Sequence, residues 1–87
     1  MKIKEGFVLR EIGGSPVVVA VGEGTKIFNG MIQLNETGAL LWKELEKGCE
    51  LSNLVDALTS EFNVQRDVAE KDAKDFIDVL MEANLLK

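Results

Sequence analysis

The stretch MIQLNETGALLW, residues 31–42, constrains this chain more than any other. It passes from a short apolar strand into an amphipathic helix with no loop between them. Met31, Ile32 and Leu34 read as strand. Asn35 is a good N-cap, because its side-chain oxygen can accept from the free amides of a first helical turn. Glu36 follows in that turn, where the helix dipole favours negative charge. Leu41, Trp42 and Leu45 then supply a buried stripe at helical spacing.

The flanking segments extend this pattern. FVLREI at 7–12 mixes apolar and charged positions, as a partly exposed strand does. Gly13-Gly14 can take positive φ and make a tight hairpin turn. VVVAV at 17–21 is apolar throughout, as expected of a central strand covered on both faces, and Pro16 at its entrance costs no interior ladder bond. GEGTK reads as a flexible loop. Ile27-Phe28 lead to an Asn29-Gly30 turn and a third strand at 31–34. Phe28 fits either the core or the wing side of a cleft.

Three helices are expected next. The first, about 36–47, stops at Gly48, a normal residue just past a helix end. The second, about 51–62, buries Leu51, Leu54, Val55, Leu58 and Phe62, with Asn63 as a left-handed stop. The third, about 66–83, carries Ala69, Ala73, Phe76, Ile77 and Leu80 on one face, and Asn84-Leu85-Leu86 cap it and fold two leucines back. The expected fold is α+β: a three-stranded antiparallel sheet followed by three helices, in a winged helix-turn-helix pattern. With 87 residues and no linker, residues 1–87 make one domain.

Composition narrows the function. No run approaches the roughly 18 apolar residues of a membrane span, and MKIKEGF has no apolar segment behind its lysines, so it is not a signal peptide. A cytoplasmic location and no membrane partner are expected. The single cysteine, Cys49, precludes an intrachain disulfide and reads as a tolerated small residue in a polar junction. Histidine is absent, which removes the commonest general base and nitrogen metal ligand. The Gly-x-Gly of VGEGTKIF lacks the rest of a phosphate-binding pattern and opens no helix. No metal site, cofactor or catalytic residue is expected, and an enzyme is disfavoured.

Winged helix-turn-helix domains are best known as DNA readers, which need Lys and Arg against phosphates. Here Asp67–Ala83 holds six acids and two lysines, a net −4, and the whole chain is −5. That field repels a duplex. A nucleic-acid regulator is therefore the weaker alternative, and a scaffold that binds only an enzyme is another. The stronger reading is an extended-peptide binder, in which a partner adds as a further strand to an open sheet edge. Met31–Leu34 is the natural edge. An open edge also allows weak pairing of two copies, so monomer or weak dimer is expected.

Three segments carry a resemblance. KEGFVLREIGGSPVVVAVG looks like the opening hairpin of the PqqD-like family, FNGMIQLNETGALLW like its strand-to-helix signature, and DVAEKDAKDFIDVLMEANLL like its closing helix. These are the recognition elements of ribosomal peptide biosynthesis. The resemblance implies that the third strand and third helix form a cleft for the leader of a precursor peptide, which is then delivered to a modifying enzyme. In the branch that names the family, that enzyme is a radical S-adenosylmethionine protein. By position, Gly30, Met31, Ile32, Gln33 and Leu34 would supply the pairing edge, and Val68, Asp72, Asp75 and Val79 a stripe on the third helix. Val68 and Val79 would floor the pocket or belong to the core edge. Lys71 and Lys74 would meet acidic leader residues, or else be solvated or paired with Asp67, Asp75 or Asp78. Trp42 and Phe76 are expected in the core. Proline at 32 or 33 is expected to remove an edge donor while leaving the fold.

Overall fold

A computed structural model describes all residues, Met1–Lys87. Strands β1 (Phe7–Ile12), β2 (Ser15–Ala20) and β3 (Met31–Gln33) precede helices α1 (Glu36–Lys47), α2 (Leu51–Glu61) and α3 (Arg66–Glu82). The sheet is antiparallel in the order β1-β2-β3. The α+β architecture is thus the expected one. Gly13 and Gly14 both take positive φ, +59° and +82°, in the hairpin turn, and Gly48 does so after α1, at +88°.

Side-chain alternation along the strands sets the layers. Phe7 and Val18 join Leu41, Trp42, Leu45, Leu54, Leu58, Ala73, Ile77 and Leu80 in one core cluster. Leu9, Ala20, Ile32 and Leu34 pack against it, half-buried. The opposite sheet face has no helix over it, which corrects the expectation of a strand covered on both sides. Val8, Val19 and Met31 form a cross-strand row there. Val17 is buried yet lies outside the core cluster, between its strand partners Arg10 and Gln33. The all-apolar run therefore serves the core at Val18 and the outer face at Val17 and Val19.

β2 starts at Ser15, so Pro16 lies inside the strand and not at its entrance. Its carbonyl accepts from Leu34 N–H at 2.9 Å, extending the β2–β3 ladder one residue past β3. Residues Gly22–Lys26, expected as a flexible loop, form a 3₁₀ turn. The reason is a close approach: Gly24 is buried against Gly6, and a Cβ on Gly6 would stand 2.5 Å from Gly24 N. Gly6 also has φ of +98°.

Asn63 does not stop α2. Phe62, half-buried, leaves the helix in extended conformation at φ −124°. The left-handed asparagine is Asn84, at φ +61°. It turns the chain so that Leu85 N–H reaches the Leu80 carbonyl at 2.9 Å and Leu85 is fully buried. Leu86 then bridges Ile3, a pairing that the local pattern gave no sign of. Residues 1–4 form a strap: Ile3 N–H donates to Leu45 O, Lys4 N–H to Leu85 O, and Cys49 N–H to Met1 O. Ile3 is buried in the core.

Candidate functional site

β3 is an edge strand, with β2 on one side and no strand on the other. In an antiparallel ladder, successive residues turn their main-chain groups to opposite sides. The Leu34→Pro16 bond fixes the phase, so Ile32 faces Val18 as the next hydrogen-bonded pair. The N–H and C=O of Met31 and Gln33 consequently point to the open side. This corrects the expectation for Ile32, whose donor is committed to β2.

Side chains follow the same alternation. Ile32 and Leu34 turn to the core, while Met31, 68% exposed, and Gln33 turn away. Gly30 precedes the strand, and a Cβ on it would touch the Phe28 ring at 3.4 Å. Phe28 is half-buried against the core cluster.

The end of β3 is joined to α3 through the first turn of α1. Asn35 caps α1, accepting from Gly38 N–H at 2.8 Å and from the Thr37 hydroxyl at 2.9 Å. Gly38 is buried, and a Cβ there would lie 3.4 Å from Phe76 Cε1 and 3.5 Å from Leu34 Cβ. The missing side chain lets α3 approach the strand-to-helix junction. Beside this contact is an open cavity of about 290 Å³. Asn35, Thr37, Gly38 and Leu41 form one wall, and Asp72, Asp75, Phe76 and Val79 of α3 form the other.

Of the α3 residues named from sequence, Asp72, Asp75 and Val79 line this cavity, and Val68, Lys71 and Lys74 do not. Val68, Asp72, Asp75 and Val79 make one exposed stripe, about 16 Å long at 1.5 Å per residue. The cavity occupies its C-terminal part. Val68 and Val79 are 46% and 54% exposed, so they do not belong to the core. Lys71 donates to Asp75 Oδ2 at 2.9 Å, and this bond, with the Asp75 and Asp72 charges, pushes its pKa up. Lys74 is exposed.

Asn35, Thr37, Gly38, Leu41 and Phe76 were missed as lining residues. Phe76 is half-buried and not fully in the core. Its position three residues after Ala73 and one before Ile77, at the edge of the buried stripe, is the signal that could have placed it. A larger groove of about 590 Å³ lies between the β1–β2 hairpin and α1–α2, bounded by Leu9, Pro16, Leu40 and Phe62 among others. It contains neither β3 nor α3 residues. The smaller cavity is the better candidate because one wall is the α1 turn that directly follows β3 and the other is α3.

No group of three or more His, Cys, Asp or Glu side chains is arranged to hold a metal ion. No helix is long and apolar enough to cross a membrane. Cys49 is a free, half-buried thiol, and burial pushes its pKa up.

A winged sheet, three helices and an open third strand beside the last helix define a small binding domain of the winged-helix class. The chain belongs to the PqqD family: the family model, described as coenzyme PQQ synthesis protein D, matches residues 7–86. Two solved structures are similar along nearly their whole length. TbiB1 in complex with the TbiA(beta) leader peptide shares 30% identity, covering 100% of this chain and 95% of that one, with a TM-score of 0.78. Lasso peptide synthetase B1 complexed with the leader peptide shares 25% identity, covering 97% and 93%, with a TM-score of 0.74. A search of curated proteins gives no match.

Proposed function

We propose that this chain is a non-catalytic recognition domain that captures the leader region of a ribosomally synthesised precursor peptide. Capture is by strand addition at β3, with Gly30–Leu34 as the edge and the Val68–Val79 stripe of α3 as the opposing wall. The observation that carries this reading is the open side of β3, where Met31 and Gln33 present unpaired main-chain groups; the α3 cavity begins at Asn35, two residues past the strand. Main-chain bonds give such a complex affinity, and side-chain pockets give it specificity. Two similar proteins solved with leader peptides support the same use here.

The domain delivers its cargo to a separate modifying enzyme, a radical S-adenosylmethionine protein in the branch for which the family is named. Its contribution is effective concentration: a tethered substrate meets the enzyme almost intramolecularly. Both proteins and the precursor would share the cytoplasm. The net −3 of α3, six acids against Arg66, Lys71 and Lys74, disfavours nucleic acid.

The test is a ¹⁵N–¹H NMR titration with the leader of the precursor encoded beside this gene. Saturable shifts at Gly30–Leu34 and along Val68–Val79 are expected. A leader that leaves β3 unshifted at high concentration overturns the reading, and shifts seen with the neighbouring enzyme alone would favour an enzyme-only scaffold.

A further inference from the structure

The α3 cavity has a chemistry of its own. Its polar lining is rich in acceptors. Asp72 and Asp75 present carboxylates, and the Thr37 hydroxyl spends its proton on Asn35, leaving lone pairs. No lysine or arginine lines it. Lys71, on its flank, is bound to Asp75, and Asp72 has no cationic partner. Leu41, Phe76 and Val79 supply an apolar wall. The amino end of α1 adds a partial positive charge of about half a unit, but Glu36 stands in that first turn and offsets it. The net field in the cavity is negative.

An open cavity with an apolar wall and acidic acceptors suits a long aliphatic side chain that ends in a cation. Resting on the leader-capture reading above, we propose that this cavity selects a lysine or arginine of the bound peptide. Its methylene stem lies on Phe76 and Val79, and its cation sits at Asp72 with Asp75. Lys71 competes for Asp75 and so restrains this binding. An acidic residue at the same peptide position meets two carboxylates and is rejected.

The competition gives the proposal opposite-signed consequences. Random 12-residue peptides displayed on phage are panned against the immobilised full chain. Selected peptides are then synthesised and measured by fluorescence anisotropy at 0.15 M salt. Peptides that shift Met31–Gln33 in the NMR spectrum are expected to carry Lys or Arg at one fixed position. Replacing that residue by norleucine, or making Asp72→Asn, should weaken binding about three- to fivefold, as for a partly exposed ion pair. Lys71→Gln should tighten it, by freeing Asp75. Both substituted side chains of the protein, Asp72 and Lys71, are exposed, so the variants fold. Edge-binding peptides with no fixed cation overturn the cavity assignment and leave strand addition standing, as does an Asp72→Asn variant with unchanged affinity or a Lys71→Gln variant that binds less. A selection in which no peptide perturbs β3 overturns both.

Discussion

Val18 and Ile32 face each other across β2 and β3 as a hydrogen-bonded pair, one step along the ladder from Leu34 and Pro16. That phase decides which residues of β3 can serve a partner. Proline at 33 removes an outward donor; proline at 32 removes a ladder bond. Gln33→Pro is expected to keep the fold and to lose most leader affinity in calorimetry. Ile32→Pro removes that ladder bond and should instead lower stability by about 1–3 kcal/mol, the cost of leaving an acceptor on β2 unpaired, seen as an earlier urea midpoint. Greater destabilisation by Gln33→Pro than by Ile32→Pro would show that the ladder runs in the other phase.

The Gly6–Gly24 contact makes a sharper structural prediction. A methyl on either residue runs into the backbone of the other, which cannot retract as a flexible side chain does. Gly24→Ala is expected to cost about 2–3 kcal/mol. For a domain of this size that lowers Tm by about 10–20 °C. Gly13→Ala, with nothing within 4 Å of the new methyl, meets φ strain but no clash and should cost less. Thermal melts of the two variants give the comparison directly.

Asn35 ties the strand-to-helix junction together through two hydrogen bonds from its own first turn. Asn35→Ala should lower stability by about 1 kcal/mol, while Asn35→Asp, which keeps the acceptor and adds a charge at the helix start, should retain it. Chemical denaturation curves with unchanged slope would attribute the loss to the cap. A cavity wall also moves with this turn, so the alanine variant should bind leader more weakly than its stability loss alone accounts for.

Cys49 offers a pH prediction. Its thiol is pushed above the ordinary value of 9.0, first by burial and then by Glu44 and Glu50, against the opposing amino group of Met1. A group whose folded pKa is raised contributes stability that is full below the unfolded pKa and is lost as pH rises through the folded one. Neutral pH should therefore leave Cys49 protonated and slow to alkylate. The pH–rate profile with iodoacetamide should have its midpoint above 9.0 in the folded protein and fall back toward that value in urea. A folded midpoint at or below 9.0 would contradict the assigned surroundings.

Periodicity carried the helices well, because Leu41, Trp42, Leu45, Leu54, Leu58, Ala73 and Leu80 repeat at a spacing that no strand can bury on one face. The Gly13-Gly14 turn and the Asn35 cap were readable for a similar reason, each needing a residue type that few alternatives supply. Long-range relations were not. Nothing local to GEGTK reveals that Gly24 must meet Gly6, and nothing near Ile3 reveals Leu86. The phase of β3 depends on Pro16, fifteen residues before the strand begins. The α3 stripe was readable as a face, yet its cavity comes from Gly38 and Phe76, which meet only once α1 and α3 are packed.

The strap at residues 1–4 has a consequence for the order in which the molecule can be made. Lys4 pairs through its main chain with Leu85 and through its amine with Asn84 at 2.6 Å, and Lys87 N–H returns to Lys2 O. Residues 2–4 thus take their partners from residues 84–87, which are synthesised much later. The hairpin and α1 can form early from neighbours, but Ile3 cannot be buried beneath Leu86 until the carboxyl-terminal turn has emerged. Contacts of such sequence separation close slowly. Until then an apolar isoleucine and the bottom of the core stay open to water, so the growing domain stays vulnerable until residues 84–87 have docked.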